Sequence, residues 1–197
     1  MMVRAAQVAI RPTHPGDLDL LDRIDLAADR SVGFRYRGSM PSASERRSRM
    51  WQGVLCQHLI TSVPDGDPVG YATAYGADLR SGHAWVALAV VPEMQRRGLG
   101  LFGFGLFVTL LFREWPLRAL YAESAADNVA QFRSALDDGT AVVEAEFRDA
   151  LLRPDGSESD LFWLAIVRET WEERWGRLVR RRLLLAEQAG METGWPG

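Results

Sequence analysis

The most informative segment of the chain reads Val90-Val91-Pro92-Glu93-Met94-Gln95-Arg96-Arg97-Gly98-Leu99-Gly100 and runs into an apolar stretch at residues 101–112. Residues 85–91 are all apolar, which predicts a central strand buried on both faces. The apolar stretch is about half as long as a bilayer-spanning helix, so it predicts a buried helix. A strand, a glycine-containing loop and a helix in this order direct free backbone N–H groups at an anion. The segment therefore predicts a backbone site for a phosphate-bearing ligand.

Four glycines follow one another closely in this segment. A side chain at Gly98 or Gly100 would hold a phosphate away from the backbone. Within a helix each glycine costs up to about 1 kcal/mol relative to alanine, so close packing of the helix is an incomplete explanation for all four. Arg96 and Arg97 add positive charge beside the loop. The four glycines are Gly98, Gly100, Gly103 and Gly105.

The same glycines also match a dinucleotide-binding pattern. Gly98, Gly100 and Gly103 have the required spacing, and Glu123 follows about 20 residues later at a predicted strand end. However, residues 92–97 separate the strand from the first glycine, whereas in a dinucleotide fold the strand leads almost directly into it. The chain after the glycines is also too short for the remaining parallel units, so this alternative is disfavoured.

The composition predicts one domain over residues 1–197. Hydrophobic residues make up 47% of the chain, which is enough for a core. The formal net charge of -3 provides no basic field, so we expect no nucleic-acid partner. The single cysteine, Cys56, excludes an internal disulfide and a cysteine-based metal cluster; we expect no metal. Without an apolar leader or a membrane-spanning segment, the chain is expected to be cytoplasmic, with no membrane partner.

In the first half of the chain, periodicity predicts a strand at residues 7–11 and then an amphipathic helix. Leu18, Leu21, Ile24 and Leu26 form its apolar face, and the aspartates between them form an acidic face. The remaining predicted elements are a loop at residues 30–40, a helix at 45–54 capped by Ser42 or Ser44, and a hairpin of antiparallel strands at 58–63 and 69–75.

In the second half, helical and strand patterns alternate. The terminal helix is predicted to begin with a capping box, Thr170 to Glu173, and to place Trp175, Leu178 and Val179 on one face. The other predicted elements are a helix at residues 99–115, a strand at 117–123, a short helix at 128–136 capped by Asp127, and a hairpin formed by 140–152 and 161–167.

The glycine segment resembles the acetyl-CoA motif of the GNAT superfamily of N-acetyltransferases. The core of that motif is Gln or Arg, two residues, Gly, one residue, and Gly or Ala, which Gln95, Gly98 and Gly100 match. The order of predicted elements matches as well. The resemblance implies an α/β (α+β) fold in which helices flank a mixed, mostly antiparallel sheet of about seven strands. It covers residues 7–168, leaving a helical extension at 169–190 and a flexible tail at 191–197.

The resemblance also implies a function. Such a protein moves an acetyl group from acetyl-CoA, its cosubstrate, to the primary amine of a small molecule or peptide by direct attack, and it can form a homodimer. Asn128 with Gly139 resembles a second family signature, which places Asn128 beside the cofactor. The residues expected to bind the cofactor are Val90, Val91, Gln95, Arg96, Arg97, Gly98, Leu99, Gly100, Leu101 and Asn128.

The usual catalytic residues of the family are absent. Ala135 stands where many members carry a tyrosine acid, so the neighbouring Ser134 is the candidate acid. The frequent glutamate of the motif strand is missing too. Glu123, at the end of the next strand, is the preferred candidate base, and His83 is the other candidate. Cys56 is disfavoured as a nucleophile because no partner is placed beside it.

The acceptor site is expected between the first two helices. Phe34 and Tyr36 would wall it, and Arg35 and Arg37 could hold an acceptor carboxylate or phosphate, so a small acidic amine is favoured. Two alternatives stay open. The chain could be a non-catalytic acyl-CoA-binding or protein-interaction module that docks through Trp171 and Trp175. It could also transfer a larger acyl group, if Gly103 and Gly105 open space near the thioester.

Overall fold

The structure is a computed structural model that describes residues 3–4, 7–32, 41–153 and 155–188. Its centre is one eight-stranded sheet in the order β1-β2-β3-β4-β5-β6-β8-β7. Among the strands of the described residues, only β5 and β6 pair in parallel. Because β1 has two residues, seven longer strands remain, and the predicted mixed, mostly antiparallel sheet is confirmed. The strands are β1 (Val3–Arg4), β2 (Val8–Pro12), β3 (Val54–Ser62), β4 (Pro68–Asp78), β5 (His83–Val90), β6 (Ala119–Ala125), β7 (Ala141–Leu152) and β8 (Glu158–Val167).

Helices cover both faces of this sheet. The long apolar helix α3 packs on one face, where Phe107 and Leu111 are fully buried against strand residues such as Val86. The amphipathic helix α1 packs on the other face, where Leu21 and Ile24 contact strand residues. The helices are α1 (Leu18–Val32), α2 (Ala43–Arg49), α3 (Leu99–Glu114), α4 (Ala126–Val129), α5 (Arg133–Asp137) and α6 (Arg168–Gln188). Among the described residues, no helix combines the length and apolar character needed to cross a membrane.

The terminal helix α6 belongs to the core. Trp171 is 4% exposed, stacks on Trp175 and donates a hydrogen bond from its indole nitrogen to Oγ1 of Thr109 in α3, at 3.1 Å. The proposed docking surface at Trp171 and Trp175 is therefore wrong, because α3 already covers these rings. Leu178 does not share their face either, since 46% of it is exposed.

The acidic face predicted for α1 is largely engaged. Asp22 is buried and accepts two hydrogen bonds from Arg46 of α2, at 2.7 and 2.9 Å, which lowers the pKa of its carboxyl. Just before α1, Asp17 is buried too, and hydrogen bonds from Arg11 lower its pKa. Amphipathic periodicity could not reveal these partners, because each lies on another element.

The boundaries of α2 and β3 differ from the prediction. Ser42 caps α2 and forms a capping box with Glu45, as the sequence suggested. The helix ends at Arg49 rather than at residue 54, and β3 begins at Val54 rather than at residue 58. Gly53 has a φ of +68°, a conformation that ends the turn and leads into the strand.

Two predicted helix caps are wrong. Asp127 does not cap the short helix, because α4 already begins at Ala126; its carboxylate instead pairs with Arg153 at 2.7 Å. The predicted Thr170 capping box is unused, since α6 starts at Arg168 directly after β8. The Arg168 side chain donates a hydrogen bond to the carbonyl oxygen of Trp115 at 2.6 Å, which fixes the start of the helix by a tertiary contact.

Candidate functional site

A gap opens between the two parallel strands of the sheet. β5 and β6 pair at only three positions, the last being Trp85 with Tyr121. Beyond that pair β5 continues to Val90, held by β4, and β6 continues to Ala125, held by β8. The backbone edges that face each other beyond Trp85 therefore have no ladder partner, and they border a slot towards the carboxyl ends of both strands.

The loop after β5 leads to the amino terminus of α3, beside this gap. Gly98 has a φ of +74° and is the residue before the helix. The first helical hydrogen bond runs from the Phe102 N–H to the Gly98 carbonyl oxygen, at 3.0 Å. The N–H groups of Leu99, Gly100 and Leu101 therefore have no backbone acceptor within the described chain. Three free N–H groups at the positive end of a helix are able to bind an anion.

The four glycines of this segment serve different purposes. At Gly98 a Cβ atom would have no neighbour within 4 Å, so the backbone there is open to a ligand. At Gly100 it would lie 2.6 Å from Cγ2 of Val90, and at Gly103 it would lie 2.4 Å from Cγ2 of Ile60. At Gly105 it would meet the ring of Trp175 at 3.1 Å. Close packing therefore explains three of the glycines, and the expectation that Gly103 and Gly105 open space for a larger acyl group is wrong.

The residues of the loop between β5 and α3 differ in exposure and in hydrogen bonding. Arg96 and Arg97 are exposed, and Arg96 has a φ of +61°. The Gln95 side-chain nitrogen lies 3.5 Å from the Val90 carbonyl oxygen. Val91 does not fit the predicted cofactor role, because its N–H donates to Val69 and its carbonyl oxygen accepts from Met94, both at 2.9 Å.

A small apolar cleft opens to solvent between α3 and α5. Leu101 lines the cleft and also carries one of the free N–H groups, so the cleft lies beside the amino terminus of α3. Ser134 and Ala135 line it from α5. The Thr140 hydroxyl, from another lining residue, is buried without a hydrogen-bond partner among the described residues.

Glu123 lies on the opposite face of the sheet from this cleft. Its neighbours Ala122 and Ser124 alternate with it along β6, and Ala122 packs into the core beneath α3. The exposed Glu123 carboxylate accepts a hydrogen bond from the indole nitrogen of Trp163 at 3.1 Å. The structure therefore does not bring together the candidate base Glu123 and the candidate acid Ser134 on one face.

Solved structures share this arrangement of strands and helices, although no protein-family model and no curated protein matches the chain. One is the spermidine N-acetyltransferase from Vibrio cholerae in complex with CoA and spermine, with a TM-score of 0.70 and 13% identity, covering 84% of this chain and 98% of that chain. Mutant forms of the spermidine/spermine N-acetyltransferase SpeG from the same organism give a TM-score of 0.71 at 15% identity, with 86% and 98% covered. The chain has the GNAT fold. Identities this low establish the fold alone, and any activity rests on the residues of the site.

Within the GNAT fold, the other predicted site residues fall at different distances from the gap. His83 pairs with Ala119 at the closed end, and its ring meets Tyr121 edge-on at 5.8 Å. It lies roughly 23 Å along β5 from Val90, by the rise of a strand, which makes it a poorer candidate base than Glu123. Asn128 is exposed in α4, which follows the carboxyl end of β6 at the open end of the gap.

The remaining predictions concern the acceptor residues, the cysteine and a metal. The acceptor residues Phe34, Arg35, Tyr36 and Arg37 lie outside the described part of the chain. Burial raises the pKa of the Cys56 thiol to about 12, so this cysteine is a thiol and not a nucleophilic thiolate at neutral pH. Among the described residues, no group of three His, Cys, Asp or Glu side chains could hold a metal.

Sequence reasoning missed three aromatic residues around Glu123. Trp85, Tyr121 and Trp163 lie on different strands, and their rings contact one another on the face that carries Glu123. Taken singly, each is an aromatic residue in a strand, which is typical of any sheet. Only the register, which pairs Trp85 with Tyr121 and Glu123 with Trp163, brings them together.

Proposed function

We propose that this protein is an acyl-CoA-dependent N-acetyltransferase, moving an acetyl group from acetyl-CoA to the primary amine of a small molecule or peptide. The observation that carries the proposal is the unpaired gap between β5 and β6 beside the free N–H groups of α3. One solved structure with the same fold, the spermidine N-acetyltransferase, is a complex with CoA and spermine, which supports both ligand classes.

The cofactor would be held mainly by backbone. The N–H groups of Leu99, Gly100 and Leu101 would bind the pyrophosphate, and the exposed Arg96 and Arg97 would add positive charge. The pantetheine arm would follow the free edge of β5 in the gap, where its amides can take the place of a missing strand. The apolar cleft at Leu101 provides a surface next to that path.

The amine would approach from the other face. A neutral amine attacks the thioester carbonyl, so that a C–N bond forms, the C–S bond breaks and the acetyl group is transferred. Glu123 would remove the amine proton directly or through one water, since its carboxylate lies on that face, two residues beyond the last β5–β6 pair. A backbone N–H in the gap would stabilise the oxyanion. Ser134 would reach the departing thiolate only from the cofactor side, where it lines the cleft.

The alternatives can be compared with the structure. A non-catalytic acyl-CoA-binding module is supported by Ala135 at the position of the usual acid, but its docking surface at Trp171 is buried.

We also propose a homodimer, supported by the edge strand β7, which exposes Val142 and Leu152. A cytoplasmic location is supported by the single cysteine, Cys56.

Replacing Gly98 with alanine tests the cofactor site. The Cβ atom would project into the open loop, and we expect Gly98→Ala to weaken CoA binding by at least about tenfold in calorimetric titration. Gly53→Ala is the matched control, because Gly53 also has a positive φ (+68°) and no neighbour within 4 Å, and it lies just before β3, outside the loop between β5 and α3. Both variants carry the same backbone strain, so equal CoA affinities would contradict the assignment. Gly100→Val is less suitable, since it also disturbs Val90.

Thiol release from acetyl-CoA with a panel of amines tests the reaction itself. We expect amine-dependent release, and we expect Glu123→Gln to lower kcat/KM by roughly 10²–10⁴ with CoA affinity unchanged. CoA binding without thiol release for any amine would identify a non-catalytic module instead. Faster release with longer acyl-CoAs than with acetyl-CoA would identify a different acyl donor.

A further inference from the structure

Four aromatic rings form a continuous surface across the sheet, which we call the aromatic platform: Trp85, Tyr121, Phe147 and Trp163. The ring centroids of Trp85 and Trp163 lie 5.1 Å apart with the planes at 77°. Tyr121 lies 5.6 Å from Trp85, and Phe147 lies 5.1 Å from Trp163. Phe147 is 40% exposed and the other three are partly exposed. A contiguous, partly exposed apolar surface of this kind is typical of a binding surface.

The platform borders the narrow end of the gap. Trp85 and Tyr121 form the last β5–β6 pair, and Glu123 lies two residues further along β6, about 7 Å by the rise of a strand. Trp85 points away from α3, because its neighbours Ala84 and Val86 are buried beneath that helix. A molecule resting on the platform would therefore place one end at Glu123 and the mouth of the gap.

The chemistry of this surface selects for positive charge on an apolar body. The Trp163 indole N–H is engaged by one oxygen of Glu123, which orients the carboxylate and leaves its other oxygen for a ligand. The perpendicular indole rings of Trp85 and Trp163 form a corner whose π-faces attract an ammonium group. A ligand carboxylate would meet Glu123 and the negative ring faces, so the platform disfavours the small acidic amine expected from the sequence.

We propose that the aromatic platform is the acceptor-specificity surface, and that the acceptor is an amine with an aromatic or bulky apolar body, bound with its ammonium group beside Glu123. The proposal rests on the proposed transferase function, because it assigns the acceptor of that same site. The ammonium group must lose a proton before attack, and Glu123, directly or through one water, is the group placed to accept it.

A binding experiment tests the platform independently of catalysis. Benzyltrimethylammonium is a suitable probe, because it carries the charge and the ring but has no N–H to acetylate. We expect saturable binding in ligand-observed NMR titrations of the whole protein, weakened at least fivefold in both Glu123→Gln and Trp163→Leu. Trp163→Phe keeps a ring and should retain binding within about threefold. Leu178→Ser, on an exposed residue of α6, is the control and should bind as the wild type does.

Turnover with matched acceptors gives the second test. We expect kcat/KM for a phenylethylamine to exceed that for n-butylamine, spermidine and an acidic amine by at least tenfold. Trp163→Phe should keep this order, whereas Trp163→Leu should raise KM for the phenylethylamine and leave that for n-butylamine unchanged. Preference for spermidine or for the acidic amine, with normal CoA binding, would overturn the platform and leave the transferase function standing. If the protein binds the probe but does not bind CoA, the transferase function is overturned, and the platform remains only as a binding surface for aromatic cations.

Discussion

His58 is a titratable side chain enclosed by the core. It lies in β3, is 5% exposed, and its ring centroid is 5.5 Å from that of Phe107 in α3. Its Nδ1 atom has no hydrogen-bond partner among the described residues. Burial lowers the pKa of the imidazole to about 4, because the charged form would lose its hydration. The folded protein therefore holds His58 neutral where an unfolded chain would protonate it.

This difference makes stability depend on pH. The lowered pKa means that the unfolded state binds more protons between pH 6.5 and about 4, so the free energy of unfolding falls as the pH falls through that window. From pH 7 to pH 5 the expected loss is about 2 kcal/mol. We expect His58→Leu, which removes the titrating group and the unpartnered nitrogen, to abolish most of this loss. Urea unfolding at the two pH values measures it; an unchanged difference would show that His58 can become charged in the fold.

Single residues also show how far sequence reasoning reaches at this scale. Gly98 could be placed in the loop between a strand and a helix from the sequence, and its positive φ explains why a glycine stands there. Gly103 and Gly105 could not be assigned, because their purpose depends on Ile60 and Trp175, which lie far away in sequence. Nothing in a sequence states which distant side chain will lie against a glycine.

At the scale of elements, two ion pairs join α1 to α2. The Arg46 and Asp22 side chains are each 9% exposed, and Arg46 also donates to the Pro41 carbonyl oxygen at 2.6 Å. The neighbouring pair, Arg47 with Asp19, joins the same two helices at the surface, with Asp19 76% exposed. Two pairs of the same chemistry therefore differ mainly in burial.

Removing one partner of the buried pair should lower the free energy of unfolding far more than removing one partner of the exposed pair. We expect Asp22→Asn to lower the free energy of unfolding by roughly 3 kcal/mol, because it removes the buried carboxylate that pairs with the Arg46 guanidinium. The matched control Asp19→Asn should change it by less than about 1 kcal/mol, since exposed pairs contribute little. Urea unfolding midpoints at pH 7 decide between them. Similar effects of both substitutions would mean that water reaches Arg46.

The order of the elements was predictable, because hydrophobic periodicity and turn residues mark it locally. The predicted boundaries of elements were wrong where a tertiary contact determines the boundary. Arg168 is the clearest case: its bond to the carbonyl oxygen of Trp115 fixes the start of α6 two residues before Thr170, where local capping rules place it. The partners of Asp17 and Asp22 could not be predicted for the same reason, since Arg11 and Arg46 come from other elements.

At the scale of the whole molecule, the folded core extends beyond residue 168 into α6. The sequence resemblance ends near residue 168, which suggested an extension outside the core. Instead, Trp171 is buried against α3 and Gly105 leaves room for the ring of Trp175. The folded unit therefore includes at least the first turns of α6.

Two substitutions on this helix test its contribution. Trp171→Ala should lower the free energy of unfolding by about 3–5 kcal/mol, because it leaves a cavity against α3 and removes the hydrogen bond from the indole nitrogen to the Thr109 hydroxyl. Leu178→Ala, at a position that is 46% exposed, should change it by less than about 0.5 kcal/mol. Thermal unfolding followed by circular dichroism gives both values, and equal effects would place α6 outside the cooperative unit.

The gap between β5 and β6 has a consequence for stability as well as for binding. The sheet is joined at this seam by three residue pairs, so the ladder bonds that would continue it are unmade in the free protein. Each such bond contributes roughly 0.5–1.5 kcal/mol net, and a bound ligand that runs between the strands would supply the missing ones. Affinity and folding stability are then thermodynamically linked: ligand at a hundred times its dissociation constant would stabilise the fold by about 2.7 kcal/mol. A ligand bound between β5 and β6 would therefore stabilise the folded sheet as an additional strand does.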